Sequence, residues 1–173
     1  TLKILADKTQ EVLSGAAIDV ENASKEELKA TLLKSGCWPF IKQRPYDVIA
    51  NPDTTPKAIF ISGYSSAPLQ ADLNYVLQGK EKELQTAITA LGKLTPGKVH
   101  VSVGSSASPL SSMKGVELHN VSGPHPAGLV GTQINKVDPI NKGELVWTVS
   151  PQDLIIIGEY LLTGIYNPER IVA

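Results

Sequence analysis

Hydrophobic positions along this chain follow two periods, one typical of strands and one typical of helices. Apolar residues alternate or form short runs in segments that we predict to be strands, namely 58–62, 99–103, 115–121, 144–149 and 169–173. Segments predicted to be helices are 24–36, 68–77, 80–94, a stretch beginning at Pro126, and 150–163. Strands that alternate with helices over the whole length predict an α/β layered domain with a mainly parallel sheet flanked by helices.

Local signals predict where several elements begin and end. Ser24 and Glu27 have the spacing of a capping box, so a helix is predicted to begin there, and Gly36 is placed to end it in a left-handed conformation. Ser150 precedes a proline, which predicts a second capped helix start. Segment 37–56 carries four prolines and is predicted to be an extended, irregular connection.

The charge balance argues against several classes of partner. The 173 residues include 16 Lys and Arg against 17 Asp and Glu, for a formal net charge of -1, without a block of like charges. This pattern predicts no binding to nucleic acid or to an anionic membrane. Cys37 is the single cysteine, which excludes an intrachain disulfide and favours a reducing, cytoplasmic compartment.

No segment of the sequence is suited to membrane insertion. The longest strongly apolar run, Leu154–Ile157, is far shorter than the ~20 residues that cross a bilayer. The first eight residues become charged too early for a signal peptide. Because the sequence does not begin with methionine, we also expect the chain to be part of a longer protein.

The most unusual stretch is 123–132, which contains three glycines and two prolines within ten residues. Such a composition predicts a shaped segment, since proline fixes φ and glycine permits close backbone approach. In a parallel sheet, ligands bind at the carboxyl ends of strands, so loops 62–68, 104–112 and 122–126 are candidate ligand sites. His125 could stabilise an anion or a carbonyl at a helix start; the alternative is a rigid turn with a hydrogen-bonded histidine.

Familiar catalytic motifs do not fit the chain. Gly123, Gly128 and Gly131 have neither dinucleotide-binding nor P-loop spacing, and the loop serines lack a nucleophile elbow. The histidines lack metal-ligand spacing, so we predict neither a catalytic residue nor a metal ligand. Trp38 and Phe40 could line an apolar cleft for a ring-shaped ligand, or could anchor a long loop onto the domain.

Three separated stretches carry a family resemblance: 32–45, 123–132, and Val146–Trp147 together with 152–158. With these motifs in this order, the chain resembles the A-type subunit of the bacterial sodium-pumping NADH:quinone oxidoreductase. The resemblance implies a peripheral protein on the cytoplasmic face of the bacterial inner membrane, within a six-subunit complex that couples NADH oxidation to sodium export. It also implies that residues 24–173 form an internal Rossmann-like domain and residues 1–23 a connecting segment.

The same family is similar to the flavin-carrying subunit of complex I and to the C-type subunit of the Rnf complex, where a glycine-rich loop cradles the flavin phosphate. Here the matching stretch 36–42 has one glycine, and 63–68 lacks the acidic residue of those relatives. The resemblance therefore implies that this chain binds no cofactor, while the complex uses flavins, an iron–sulfur centre, NADH and quinone.

Three functions remain open from the sequence. The leading one is an assembly surface with quinone contact and no redox centre, with candidate contacts at Trp38, Phe40, Gly123, His125 and Gly128. The second is an oxidoreductase domain that binds flavin or nicotinamide through an unconventional phosphate cradle in 123–132. The third is a pure interaction module whose loops only dock neighbouring subunits.

Overall fold

Helices and strands alternate along the chain in a computed structural model that describes residues 3, 5, 11–104 and 107–172. The α-helices are Lys25–Lys34 (α1), Leu73–Leu77 (α2), Glu81–Leu94 (α3), Val130–Val137 (α4) and Pro151–Thr163 (α5). The strands are Lys42–Arg44 (β1), Val48–Ile49 (β2), Ile59–Gly63 (β3), Val99–Val103 (β4), Glu117–Asn120 (β5) and Val146–Val149 (β6). Short 3-10 helices occupy Trp38–Phe40 and Pro109–Ser112.

The strands form one sheet in the order β2-β1-β6-β3-β4-β5. Strands β6, β3, β4 and β5 run parallel, whereas β1 pairs antiparallel with both β2 and β6. The chain moves outward from β3 through β4 to β5 and then returns across the sheet to β6 on the other side of β3. The topological switch point therefore lies between β3 and β6, where ligands bind in open α/β sheets.

Helices cover both faces of the sheet, as the sequence predicts. On one face, α1, α3 and α5 bury leucine and isoleucine side chains against the strands, including fully buried Leu28, Leu84 and Ile157. On the other face, α4 packs Ile134 onto Phe60 at the centre of the sheet. The predicted α/β layered domain with a mainly parallel sheet is confirmed.

Capping side chains set the helix starts that the sequence indicates. The Ser24 hydroxyl accepts a hydrogen bond from the Glu27 amide at 3.2 Å, and the Ser150 hydroxyl accepts one from the Asp153 amide at 3.2 Å. Gly36 follows α1 with φ +77°, a conformation that costs glycine little. These boundaries are confirmed.

The prediction of an irregular connection over 37–56 is wrong, because this segment forms the β1–β2 hairpin and extends the sheet beside β6. Its prolines do not interrupt the ladder, since Pro45 and Pro52 lie outside the paired residues. The Gln43 side chain organises the hairpin by accepting hydrogen bonds from the Asn51 amide at 3.3 Å and the Thr54 hydroxyl at 3.1 Å.

Other boundaries also differ from the predictions. The helix expected from Pro126 begins at Val130, after a series of turns, and the helix expected over 68–77 is reduced to α2. The serine-rich loop 104–115 is not wholly peripheral, since Leu110 within it is fully buried.

The predicted strand over 169–173 is wrong for 169–172, and Ala173 lies outside the described residues. The Gln152 side chain donates to the Ile171 carbonyl at 3.0 Å and accepts from the Ile171 amide at 3.0 Å. A glutamine side chain therefore occupies the place that a neighbouring strand would take, and the segment stays irregular.

Candidate functional site

A cleft of about 490 Å³ opens at the switch point between the carboxyl ends of β3 and β6. Ser62 and Tyr64 border it from the β3 side, and Thr148 and Val149 from the β6 side. Leu129, just before α4, forms part of a further wall. The volume lies within the range of small-molecule sites, and the position is the one that parallel-sheet topology favours.

The loops that follow β3, β4 and β5 meet beside this cleft. The Tyr64 hydroxyl donates to the Gly123 carbonyl at 2.8 Å, and the Tyr64 ring lies directly against Gly104. The Ser66 hydroxyl accepts a hydrogen bond from the Gly128 amide at 2.9 Å and lies 3.2 Å from His125 Nδ1. The structure thus brings candidate residues from separate loops into one hydrogen-bonded wall.

Gly128 lies at the closest approach between these loops. A Cβ at this position would overlap the backbone of Ser65 and Ser66. Five residues earlier, Gly123 has φ +127°, which L side chains rarely adopt. The glycines predicted to be shaped for function therefore shape the packing of one loop against another.

Backbone donors in the glycine-rich stretch are engaged within the wall. The Ala127 amide donates to the Pro124 carbonyl and the Leu129 amide to the Pro126 carbonyl, each at 2.9 Å. Gly128 already donates to Ser66. A phosphate cradle needs several free amides pointing at one place, and these successive turns do not leave them free.

Trp38 and Phe40 take different places, although they stand two residues apart. Trp38 is only 3% exposed and donates from Nε1 to the Ala50 carbonyl at 2.7 Å, while its ring meets Trp147 edge-on at 5.5 Å. Phe40 is half-buried, lines the cleft and stacks on Tyr166 at 6.4 Å. Trp38 therefore anchors the turn that presents Phe40 to the cleft.

Charged side chains at the cleft were not identified from the sequence. Lys42 on β1 lines the cleft, is half-buried, and has no ion-pair partner among the described residues. Arg170 lies 5.4 Å from the centre of the Phe40 ring and forms an ion pair with Asp153. Lys42 could have been found only by recognising β1, whose three residues give too little periodicity.

A pair of histidines lies away from the cleft, on neighbouring strands β4 and β5. His100 Nδ1 and His119 Nε2 are 3.0 Å apart, and His100 stacks on Phe60 at 4.7 Å. Burial lowers the pKa of His100, and the neighbouring His119 lowers it further. Within the described part of the chain, no group of three or more His, Cys, Asp or Glu could hold a metal ion.

Cys37, the single cysteine, is fully buried between α1 and the Trp38 turn. Burial raises the pKa of its thiol, so the reactive thiolate is disfavoured. This residue therefore packs the core rather than serving the cleft.

Comparison with known proteins identifies the class to which this α/β domain belongs. The family model described as the NqrA second alpha/beta domain matches residues 23–166. The chain belongs to this family. None of the helices in the described residues is long and apolar enough to cross a membrane.

Relatives in several bacteria share one name, which makes each of them the A-type subunit of a Na(+)-translocating NADH-quinone reductase. The protein from Neisseria gonorrhoeae strain NCCP11945 is 36% identical over 151 residues, which cover 87% of this chain and 34% of the relative. The Cellvibrio japonicus protein is 36% identical over 159 residues, 91% of this chain and 36% of the relative. The Hahella chejuensis protein is 34% identical over 173 residues, 99% and 39% respectively. The chain thus spans little more than a third of the relatives it matches.

Proposed function

We propose that this chain acts as the second α/β domain of NqrA, the A-type subunit of a Na(+)-translocating NADH-quinone reductase. In that complex it lies peripherally, on the cytoplasmic face of the bacterial inner membrane, with the other subunits as its partners. It contributes assembly surface and a quinone-facing cleft, while the flavins and the iron–sulfur centre are held elsewhere. The single observation that carries the proposal is the family match over residues 23–166.

The absence of a redox centre from this chain is supported by how its loops are used. Gly36 ends α1, and the next two residues, Cys37 and Trp38, are buried at once, so bulky side chains occupy the place of a phosphate-binding loop. The amide of Gly128 is committed to Ser66. A flavin or nicotinamide cradle in 123–132 would have to break these contacts, which favours the scaffold function over the oxidoreductase alternative.

Quinone contact is assigned to the cleft at the switch point. Phe40 offers an aromatic surface that a planar ring can pack against, and Val149 and Leu129 add apolar wall. Trp38 fixes the turn that carries Phe40. Gly123, His125 and Gly128 shape the opposite wall through the loop-to-loop hydrogen bonds.

Replacing Phe40 by alanine in the assembled complex tests this assignment. We expect the KM for a short-chain ubiquinone to rise roughly threefold to tenfold, because an aromatic contact contributes about 0.5–1.5 kcal/mol beyond area burial. NADH oxidation with ferricyanide as acceptor, which bypasses the quinone, is expected to remain unchanged. Steady-state kinetics with each acceptor provide the measurement.

The matched control is Tyr46→Ala, because Tyr46 is an aromatic residue that is 83% exposed and lies outside the cleft lining. This variant is expected to keep the parental KM for quinone. An unchanged KM in Phe40→Ala, or equal rises in both variants, would contradict quinone contact at this cleft while leaving the family membership intact.

A further inference from the structure

We propose that the cleft is selective for a planar ring that carries an anionic group, such as a carboxylate. The inference rests on the proposed function in that it concerns the same cleft, and it specifies which ligands that cleft accepts. It is carried by the combination of an aromatic wall, a half-buried cation without an ion-pair partner among the described residues, and a cavity of small-molecule size.

The aromatic wall provides a place for the ring. Phe40 is held nearly parallel to Tyr166, with an interplanar angle of 4°, so its orientation is fixed from behind. Leu73 and Val130 add apolar surface to the cleft. A planar ring that enters the cleft can therefore bury its faces without leaving polar groups unpaired.

The lysine of the cleft provides a place for the anion. Lys42 pairs in register with Thr148 on β6, and both residues line the cleft. A half-buried ammonium next to apolar walls interacts more strongly with an anion than an exposed ammonium would, since less water screens it. Because no carboxylate of the described residues pairs with Lys42, a ligand's anionic group can take that place.

The other charges of the cleft leave this preference in force. Arg170 and Asp153 line the cleft and neutralise each other in an ion pair. The described lining of the cleft thus carries an excess of one positive charge from Lys42. The start of α4 adds potential of the same sign, since α4 has no acidic residue in its first turn and no side-chain cap.

The test compares two probes that have the same ring and differ in charge. The 173-residue chain is labelled with ¹⁵N and titrated with 2-naphthoate and, separately, with the neutral 2-naphthamide, and the amide shifts of Val130, Thr148 and Val149 are followed. We expect 2-naphthoate to shift these amides and to bind at least fivefold more tightly than the amide. We also expect its affinity to fall as salt is added, because the charged contact is screened.

Variants of Lys42 connect the preference to one side chain. Lys42→Met keeps the length of the side chain and removes the charge, so it should weaken 2-naphthoate at least fivefold and leave 2-naphthamide unchanged. Lys42→Arg should retain most of the affinity for 2-naphthoate. Lys142→Met removes an exposed lysine outside the cleft lining and should have no effect.

The outcomes separate this inference from the proposed quinone contact. Equal affinity for both probes, or binding of 2-naphthoate that survives Lys42→Met, overturns the anion preference. A short-chain ubiquinone titrated in the same way reports on quinone contact alone. If 2-naphthoate binds through Lys42 and the ubiquinone does not shift the cleft amides, the anion preference stands and quinone contact fails. If neither probe binds, both fail, and the proposal of an assembly domain remains.

Discussion

Replacing Gly158 by alanine should destabilise the domain by about 2 kcal/mol, because α3 and α5 touch backbone to backbone at this position. A Cβ on Gly158 would overlap the carbonyl group of Glu83 in α3. No side-chain rotation relieves such an overlap, so the helices must separate, at a typical cost of about 1–3 kcal/mol that the better helix propensity of alanine only partly offsets. The melting temperature should fall by roughly 4–8 °C.

The matched control is Gly92→Ala in α3, where the same change meets open space. The nearest atom to a Cβ at Gly92 is Val99 Cγ2 at 3.9 Å, an ordinary van der Waals distance. Alanine there should stabilise the fold by about 0.5–1 kcal/mol through helix propensity. Urea unfolding of the two variants gives the comparison, and equal stability would contradict the close contact of α3 with α5.

Gly128→Ala should lower stability by about 1–2 kcal/mol, because the new methyl group would push the glycine-rich loop away from the β3 loop. The overlap is with the backbone of Ser65 and Ser66, and the displacement would break the hydrogen bond from the Gly128 amide to Ser66. The expected loss is smaller than at Gly158 because these loops lie at the surface and can shift. Urea unfolding and the amide shift of Ser66 measure the two consequences.

Gly131→Ala provides the control three residues further along. The nearest atom to a Cβ there is Arg44 Nη2 at 3.0 Å, the end of a flexible side chain that can move. Little change or a slight gain in stability is expected, since alanine also suits the first turn of α4. If Gly128→Ala were as mild as Gly131→Ala, the loop wall would not depend on close backbone approach.

The sequence predicts the elements whose signals are local and repeated. α5 combines a capping serine, a proline at the first helical position and a long apolar run, so its limits follow from the sequence. The hairpin of β1 and β2 gives no such signal, since strands of three and two residues are too short to show alternation. Their pairing with β6 is a long-range contact that no local pattern encodes.

The cleft was only partly predictable for the same reason. Parallel-strand topology predicts that the loops after β3 and β5 meet, and the hydrogen bonds of Ser66 with Gly128 and of Tyr64 with Gly123 realise that meeting. Which of Trp38 and Phe40 reaches the cleft depends on the 3-10 turn that carries them. The charge of Lys42 enters the cleft through β1.

Cofactor analysis of the complete protein tests the central claim, that this domain belongs to NqrA and works there without a redox centre. The full-length protein that contains this chain would be purified alone, its absorbance spectrum recorded, its bound cofactors released and identified, and flavin mononucleotide titrated into it. We expect no chromophore and no saturable flavin binding. Stoichiometric flavin in the purified protein, or tight binding in the titration, would contradict the account and make this domain a redox-active one.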